Sequence, residues 1–546
     1  MTLTDASAIP RTTSVPADVC IVGAGPTGIA VALQLVDCGL DVVVLESGDD
    51  HENPDAQALN EGAVVGLPYY PLTETRFRVL GGNSGRWAGW CRPLDGLDMD
   101  RRSWVPHSGW PVTRVELDDS YAAAADLCEV DLDALADDAV DLPPLYRAPY
   151  VGDGVEVALW AGSPPTKFGT VYRDRLTSAP GVQLITDATV TEVVSNGRTV
   201  ERVAVKTRSG NEFSVSARVT VLCAGAMETA RLLLTSRSGH TAGLGNEHGL
   251  VGRNFMEHPH LVTGTLRIAD AEARAEAVAA LDRSWSGARA RLALQRPSGA
   301  AKMAYVLSDE TKRREQLLAF STRLHTTGPV SREESPAYGA IKLVVTNLRS
   351  PRRFVTQVKA GTLPSGVGSL AGTIVRGLPD VSRAVYHEAL RQPRELALFT
   401  QAEQTPNPNS RVFLDPARRD RFGVPKIKLD WRLTSDDKRS VIRSQELVAA
   451  RLEAAGVGAL VPAEPFRDDS SDWGPGLRGG HHHLGTARMA DDPARGVVDR
   501  NLQVHTVPNL YVGDSAVFPT GGFSNPMLTA VALAVRLGRH LAKEYA

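Results

Sequence analysis

The first regular pattern in the chain is an apolar strand, a glycine-rich turn, a helix and a second apolar strand. Residues 19–22 are apolar, three glycines follow within residues 23–28, and residues 29–36 place apolar side chains at a helical spacing. Residues 42–45 are an unbroken run of valine and leucine. Such a run is typical of a strand buried on both faces, as in a parallel sheet covered by helices. The pattern therefore predicts a strand–helix–strand unit on a parallel sheet.

Farther along, the pattern changes to alternation of apolar and polar positions. Over residues 181–223 this alternation predicts three strands, with a turn at Asn196-Gly197. Residues 219–223 are then predicted to form a buried strand that leads into a helix over residues 227–234.

The middle of the chain, about residues 266–470, has a different pattern. Residues 270–290 are rich in alanine, arginine and glutamate and predict a helix. Sheet is predicted at residues 341–347, 397–403 and 411–431, the last two separated by a turn at residues 406–410. Residues 352–392 mix amphipathic helix with glycines. A lid or substrate-side insertion is one interpretation of this segment, and a solvated surface helix is the other.

Composition narrows the class of protein. The 546 residues carry a formal net charge of −3 without a lysine or arginine block, so no nucleic-acid partner is expected. No run approaches eighteen apolar residues and residues 1–15 lack a signal-peptide pattern, so we expect no membrane span. The cysteines are five, scattered and without CxxC spacing, which fits a reducing cytoplasm rather than a disulfide framework or a thiolate metal site.

Gly23, Gly25 and Gly28 form a GxGxxG fingerprint between a predicted strand and a predicted helix. The first glycine permits the tight turn, the second lets the backbone approach a pyrophosphate, and the third lets the helix pack on the strand. The helix N-terminus then binds the anion through free amides and the dipole. Glu46 ends the next strand, 21 residues after Gly25, where a carboxylate can bind a ribose hydroxyl pair. The fingerprint predicts a bound dinucleotide and fits FAD and NAD equally.

The C-terminal pattern favours FAD. A short strand over residues 509–514 ends in Gly-Asp, and an apolar helix follows to about Leu541. We predict Asn525 as its N-cap and Pro526 as its first residue. A helix N-terminus there can stabilise negative charge on the N1–C2=O edge of a reduced flavin. An ordinary capped helix on the core is the alternative that the pattern leaves open.

Three adjacent histidines, residues 481–483, are the candidates for a catalytic base. Imidazole suits the role of a general base because its pKa of about 6.5 lies near the working pH. Their internal position excludes a purification tag. A metal site is not expected, because neighbouring side chains rarely converge on one ion and no carboxylate is spaced with them. Loop histidines without a role are the remaining alternative.

Four ordered motifs resemble the glucose–methanol–choline (GMC) oxidoreductase family over most of the chain. They are the fingerprint with Glu46, the glycine-rich loop at residues 81–89, the segment at residues 221–233, and the segment at residues 482–489, which continues through residues 496–499, 509–514 and 525–529. Residues 87–94 and 255–259 are similar to the pyranose-oxidase and sugar-dehydrogenase branch. Relatives there often have a histidine before the loop tryptophan, covalently bonded to the flavin in some. This chain has Arg86 at that place, so the resemblance implies non-covalent FAD.

The resemblance also implies residue roles. The family register places the catalytic histidine three residues before Gly485, which is His482, and its partner at the head of the last helix is Asn525. His481 and His483 are expected to support the loop or touch the flavin, and His258 to be structural. The residues expected to bind FAD are Gly23, Gly25, Gly28, Glu46, Gly82, Asn83, Ser84, Val190, Ala224, Gly225, Asp514, Asn525 and Met527. The candidate substrate contacts are Gln401, Glu403 and Gln404, for which solvated strand positions are the alternative.

The expected fold class is α/β, with a discontinuous Rossmann-type FAD-binding lobe and an antiparallel-sheet substrate lobe with helical cover. The expected segments are 15–100, 151–265 and 471–546 for the FAD-binding lobe, 101–150 for a connection or lid, and 266–470 for the substrate lobe. The expected function is oxidation of a hydroxyl group of a sugar-like small molecule, with hydride passing to flavin N5 and then to dioxygen or another acceptor. A redox-neutral lyase and a non-catalytic FAD-binding protein are the alternatives.

Overall fold

The computed structural model describes residues 3–135, 142, 144–268, 301–326 and 395–546. The helix predicted at residues 270–290, the strand at residues 341–347 and the insertion at residues 352–392 lie outside the described residues.

The described residues form strands and helices that are numbered here in chain order. The strands are β1 (Thr4–Asp5), β2 (Ser14–Val22), β3 (Val42–Leu45), β4 (Gly62–Val64), β5 (Trp90–Cys91), β6 (Val155–Gly162), β7 (Val182–Thr186), β8 (Thr189–Ser195), β9 (Val200–Lys206), β10 (Glu212–Leu222), β11 (Pro259–Ile268), β12 (Ala301–Leu307), β13 (Phe320–Thr326), β14 (Glu395–Ala402), β15 (Arg411–Arg419), β16 (Pro425–Asp430), β17 (Gly458–Pro462), β18 (Arg478–Gly479) and β19 (Leu510–Val512). The helices are α1 (Pro26–Leu35), α2 (Pro54–Gln57), α3 (Gly96–Met99), α4 (Asp118–Cys128), α5 (Phe168–Val171), α6 (Arg173–Ser178), α7 (Ala226–Thr235), α8 (Asp309–Glu315), α9 (Ser435–Ala454) and α10 (Met527–Tyr545).

The first sheet has the parallel core that the N-terminal pattern predicts. Its strands lie in the order β1-β7-β3-β2-β10-β9-β8, with β19 also paired to β10. β2 pairs in parallel with β3 and β10, and β10 pairs in parallel with β19, whereas β8 and β9 are antiparallel additions. Helix α1 is almost wholly buried because α10 packs against it. The predicted strand–helix–strand unit is therefore confirmed.

Residues 181–223 contain four strands, so the prediction of three is wrong. A break at Asp187, whose φ is +53°, separates β7 from β8. The turn at Asn196-Gly197 is present, and the Asn196 Oδ1 atom accepts hydrogen bonds from the backbone amides of Arg198 and Thr199 at 2.9 and 3.0 Å. The apolar residues 219–222 are the end of β10 rather than a separate strand. The side chains of this long strand alternate between buried and at least partly exposed at first and are all buried at its end. The change occurs because its first part pairs with β9, whereas its last part lies between β2 and β19.

The second sheet is antiparallel, in the order β17-β11-β14-β13-β12-β6-β5, with β18 also paired to β11. Strand β14 confirms the strand predicted at residues 397–403. Helix α9 covers this sheet, packing on β11, β12, β13, β6 and β17. It begins with a capping box between Thr434 and Asp437. The predicted α/β fold, with an antiparallel sheet under helical cover, is confirmed.

Strands of the two sheets alternate along the chain. β5 and β6 lie within segments that the sequence assigns to the FAD-binding lobe, yet they pair into the antiparallel sheet. A third sheet, β15-β16-β4, confirms the strands predicted at residues 411–431. No helix of the described residues is long and apolar enough to cross a membrane.

The candidate site lies where the parallel strands end. Val22, Leu222 and Val512 are level with one another in β2, β10 and β19. Because loops that leave the carboxyl ends of neighbouring parallel strands meet at one edge, ligands bind there in open α/β sheets. The glycine turn, residues 223–225 and the Gly513-Asp514 pair follow these three strand ends.

Candidate active site

The three fingerprint glycines differ in the space that surrounds them. Gly23 has a φ of +103°, and a Cβ there would lie 2.5 Å from the carbonyl oxygen of Cys223. A Cβ at Gly28 would collide with the carbonyl oxygen of Gly23, so this glycine lets α1 pack closely on its turn. A Cβ at Gly25 meets nothing within 4 Å, because it would project into a cavity. The space in front of Gly25 therefore fits the pyrophosphate of a bound dinucleotide.

Glu46 is buried at the end of β3 and is fixed by two backbone amides. Its Oε2 atom accepts from the amide of Ala24 at 3.0 Å, and its Oε1 atom accepts from the amide of Gly48 at 2.8 Å. Burial raises the pKa of this carboxyl, and the two amides oppose that shift. The carboxylate lines the cavity beside the glycine turn, in the position expected for a ribose contact.

The glycine-rich loop packs directly on the fingerprint turn. A Cβ at Gly82 would lie 3.3 Å from the Cα of Gly25. The Asn83 side chain accepts from the Phe77 amide and donates to the Thr75 carbonyl, which holds the loop in shape. Gly82 and Asn83 line the cavity.

Ser84 is placed differently from the expectation. Its hydroxyl donates to the Gly81 carbonyl at 2.6 Å and accepts from the Phe168 amide at 3.1 Å. It is buried and does not line the cavity, so it stabilises the loop instead of facing the cofactor.

Asp514 joins the ends of β19 and β10. Its Oδ2 atom accepts from the Gly225 amide at 2.9 Å and from the Thr229 hydroxyl at 2.6 Å, and its Oδ1 atom accepts from the Ala516 amide. Burial raises the pKa of this carboxyl, while the donors oppose the shift. Asp514, Ala224 and Gly225 line the cavity and so stand where the sequence expects cofactor contacts.

An arginine cluster that the sequence reasoning missed also lines this cavity. Arg76 and Arg78 both bind the Glu228 carboxylate, at 3.0 and 2.6 Å, and Arg231 binds it at 2.9 Å. Burial acts to raise the pKa of Glu228, but the three guanidinium groups hold it far below its usual range. The signal was the Arg-Phe-Arg triplet just before the glycine-rich loop.

The cavity extends from the glycine turn to the histidine loop and has a volume of about 930 Å³. That size lies in the upper part of the ~300–1,000 Å³ range of ligand sites. Of the residues expected to bind FAD, those lining it are Gly23, Gly25, Glu46, Gly82, Asn83, Val190, Ala224, Gly225, Asp514, Asn525 and Met527. The residues present therefore fit a bound FAD.

At the other end of the cavity, His482 and Asn525 are in contact. The Asn525 Nδ2 atom lies 3.2 Å from the Nε2 atom of His482, and both residues line the cavity. The prediction that Asn525 caps the last helix is wrong. Helix α10 begins at Met527 with Pro526 as its N-cap in helical conformation, and no side chain caps it. The Asn525 side chain is thereby free to face His482.

The loop that carries His482 is held by Glu257, just before β11. The two carboxylate oxygens of Glu257 accept from the backbone amides of Gly480, His482 and His258 at 2.7, 2.9 and 3.1 Å. The Tyr69 hydroxyl donates to the same carboxylate. Burial raises the pKa of Glu257 to about 7, although all four donors favour the charged form.

The three adjacent histidines point to different partners. His481 is exposed, has a φ of +60°, and stacks on Tyr70 with ring centroids 4.4 Å apart. His483 is buried, and its Nε2 atom lies 2.9 Å from the Tyr69 hydroxyl. Only His482 of the three contacts Asn525. Among the described residues, no three His, Cys, Asp or Glu side chains are grouped to hold a metal ion.

His258, expected to be structural, contacts His482 directly. The two Nδ1 atoms lie 2.8 Å apart, and the rings meet edge to face. Burial lowers the pKa of His482 well below its usual value, and the nearby His258 and His260 lower it further. His482 is therefore neutral near pH 7 and can accept a proton.

The three candidate substrate contacts do not face the cavity. Gln401 donates to the Phe523 carbonyl at 2.6 Å. Glu403 forms a two-pronged ion pair with Arg102 at 2.6 and 2.8 Å, with both side chains at most 1% exposed.

Gln404 likewise has no hydrogen-bonding capacity left for a substrate. Its Oε1 atom accepts from the Glu257 amide and the Trp431 indole, while its Nε2 atom donates to the Phe255 and Arg432 carbonyls. The structure contradicts the substrate prediction for these three residues, because their side chains are buried and bonded to other parts of the protein and none lines the cavity.

Comparison with known proteins agrees with this site. Residues 18–250 match the family model described as FAD dependent oxidoreductase, and residues 406–534 match the one described as GMC oxidoreductase. A 2-methyl-1,2-propanediol dehydrogenase of Mycolicibacterium austroafricanum is 25% identical over 97% of this chain and 95% of that protein. A C-glycoside 3-oxidase of Arthrobacter globiformis is 35% identical over 24% of this chain and 24% of that protein. The solved pyridoxine 4-oxidase of Mesorbium loti shares the fold, with a TM-score of 0.54 and 15% identity over 97% of this chain and 100% of that one.

The glycine turn at residues 23–28, called the glycine cradle below, lies on a parallel sheet and can hold a dinucleotide. Together with the match over residues 18–250, it makes this chain an FAD-dependent oxidoreductase. His482 and Asn525 both lie inside the C-terminal match. Residues 406–534 therefore form a C-terminal domain of the GMC oxidoreductase type, as the sequence resemblance indicates.

Gly25→Val tests the cradle without disturbing the fold. A side chain there meets no protein atom within 4 Å, so only a bound cofactor opposes it. We expect the variant to melt like the parent apoprotein but to purify without FAD, as measured by the flavin absorbance ratio. Gly476→Val is the matched control, since a Cβ there is equally unopposed and lies outside the cavity lining. Full flavin content in Gly25→Val would show that the turn does not contact the cofactor.

Proposed function

We propose that this protein oxidises a hydroxyl group of a secondary alcohol, as part of a sugar, a glycoside or another polyhydroxylated small molecule. The observation that carries the proposal is the His482–Asn525 contact in the cavity that the glycine cradle also lines. Binding FAD alone requires neither side chain. A base and a hydrogen-bond donor side by side are what removal of a hydroxyl proton needs.

FAD is proposed to lie along the cavity between Glu46 and His482. When bound, it supplies the acceptor, flavin N5, for the hydride that the hydroxyl-bearing carbon gives up. The adenosine end would be held by Glu46 and Val190, the pyrophosphate by Gly25 and the residue 81–85 loop, and the flavin end by the Asp514–Met527 side.

His482 acts as the general base in this proposal. Its Nε2 atom faces Asn525 and the cavity, so a substrate hydroxyl placed between the two side chains can donate its proton to Nε2. Asn525 Nδ2 then donates to the substrate oxygen and orients it. Before substrate binds, the Nδ2 atom of Asn525 and the Nε2 atom of His482 form one hydrogen bond with each other. A bound hydroxyl replaces that bond with two, one to each side chain.

The relatives support oxidation of a hydroxyl group of a small diol or glycoside, the broader form of this proposal. The names of the two curated relatives describe oxidation of a diol and of a C-glycoside. One is a dehydrogenase and the other an oxidase, so dioxygen and a different electron acceptor are both proposed as the final acceptor.

His482→Ala tests the base. We expect it to retain FAD but to lose ~10²–10⁴-fold in the rate of anaerobic flavin bleaching by a reactive alcohol, the span of a lost general base. Asn525→Ala should lose less, because the base remains. A panel of sugars, polyols and glycosides in the stopped-flow instrument identifies that alcohol first.

His481→Ala is the neighbouring control, because its ring stacks on Tyr70 and does not contact Asn525. Bleaching by His482→Ala at the parent rate would overturn the role of His482. Turnover of a substrate while the flavin stays yellow would instead indicate a redox-neutral lyase.

The rate of flavin reduction should depend on pH in a defined direction. Burial, His258 and His260 lower the pKa of His482, so the base remains neutral when the pH falls through the usual histidine value of about 6.5. We expect His482 to stay neutral from about pH 8 down to about pH 6, so a fall in the rate within that range reports protonation of Glu257, whose pKa is about 7. Stopped-flow reduction across this range, with flavin content checked at each pH, measures the rate, and ¹⁵N NMR of histidine-labelled protein measures the protonation of His482. A His482 ring that takes up a second proton at pH 6.5 or above would contradict the lowered pKa.

The flavin is proposed to be bound without a covalent link. Arg86 stands before Trp87 where some relatives have the bonded histidine, and its guanidinium binds Glu52 at 2.7 Å. We expect acid precipitation to release all FAD into the supernatant, measured by absorbance of the washed pellet and the supernatant. Yellow colour that stays in the pellet would show a covalent bond to another residue.

A further inference from the structure

The two imidazoles of His258 and His482 meet through their Nδ1 atoms, which lie 2.8 Å apart. A neutral imidazole has one N–H donor and one bare acceptor nitrogen. One of the two Nδ1 atoms must therefore carry the proton and the other must accept it. Which of the two does so decides whether the outer nitrogen of His482 is a base or an N–H group.

The far side of His258 settles this choice. Its Nε2 atom lies 3.3 Å from the carbonyl oxygen of Gly521, which can only accept. The proton of neutral His258 is therefore on Nε2, and its Nδ1 atom is bare. Gly521 permits this approach, because a Cβ there would lie only 3.1 Å from the same Nε2 atom.

The tautomer of His258 determines the tautomer of His482. Because the Nδ1 atom of His258 is bare, the Nδ1 atom of His482 must donate to it, which leaves the Nε2 atom of His482 bare. That nitrogen faces the Nδ2 donor of Asn525 at 3.2 Å, so the three contacts agree. The reversed arrangement would set the lone pairs of His258 Nε2 and the Gly521 oxygen against each other.

We propose that His258 is a positioning residue that holds His482 in the tautomer with a bare Nε2 atom, and so presents a base to the substrate hydroxyl. This inference rests on the proposed role of His482 as the base. His258 suits the role because it is fully buried and cannot exchange its partners with water. Burial also lowers its pKa to about 4, so it stays neutral and keeps only one donor at neutral pH.

Glu257 fixes the spacing of this pair. Its carboxylate accepts from the backbone amides of both His258 and His482, although the two residues are 224 positions apart. The backbones are thereby held at the distance that lets the two Nδ1 atoms meet.

Two substitutions of His258 distinguish the effect of its acceptor atom from the effect of the volume of its ring. His258→Asn keeps an acceptor oxygen near the place of Nδ1, whereas His258→Leu fills the space without one. We expect anaerobic flavin reduction to fall ~10²–10⁴-fold in His258→Leu, as for a lost base, and to fall less than about tenfold in His258→Asn. Flavin content and melting temperature are measured on both, so that only folded holoenzyme is compared.

The tautomer is read directly by ¹⁵N NMR of histidine-labelled holoenzyme, in which protonated and bare ring nitrogens have well-separated shifts. The His482 signals are those missing from the His482→Ala spectrum. We expect a protonated Nδ1 and a bare Nε2 in the parent protein and in His258→Asn, and a protonated Nε2 in His258→Leu.

A bare Nδ1 atom on His482 in the parent protein would overturn the proposal, whatever the variants do. Equal loss of rate in folded His258→Asn and His258→Leu, or parent rates in both, would overturn it too. Normal flavin reduction by His482→Ala is a different result, because it rejects His482 as the base while the NMR spectrum still reports its tautomer.

Discussion

The buried carboxylate of Glu257 is the interaction on which the catalytic end of the molecule depends. It has no exposed surface, and a carboxylate is stable in such a place only when donors surround it. Here the donors are three backbone amides and one phenol, which belong to His258 just before strand β11, to Gly480 and His482 in the histidine loop, and to Tyr69. Without the carboxylate, the amides of His258 and His482 would lack an acceptor at a cost of about 1–3 kcal/mol each, and the Gly480 amide would keep only the His258 carbonyl. The shape of the histidine loop follows from this one group.

The segment at residues 520–525 lies beside the histidine loop at the same end of the cavity. Residues of the antiparallel sheet and the residues just after it hold this segment in place. Gln401 donates to the Phe523 carbonyl, and Glu403 accepts from the Gly522 amide at 3.3 Å. Residues that the sequence suggested for substrate binding thus position the chain that carries Asn525. The segment and the histidine loop meet at the contact of His258 with the Gly521 carbonyl. The candidate active site therefore lies where elements of the two sheets meet.

What the sequence could predict was local. The roles of Gly23, Gly25 and Gly28 follow from a turn six residues long, and the strands around it from an unbroken apolar run. His258 was missed because its partner is 224 residues away and its own neighbours show only a buried strand end. Glu403 was misjudged for the same reason, since Arg102 lies 301 positions earlier. The Asn525 cap was a local inference that failed, because the helix begins at Met527 with Pro526 as its N-cap, one residue later than predicted.

The packing of α10 on α1, together with the pairing of β19 with β10, has a consequence for how the chain is made. About 490 residues separate the end of α1 from the start of α10. At a synthesis rate of ~5–20 residues per second, this interval is roughly 25–100 seconds. During that time the side of α1 that α10 covers in the described residues is without that partner. The oldest part of the parallel sheet's cover is therefore completed by the youngest helix.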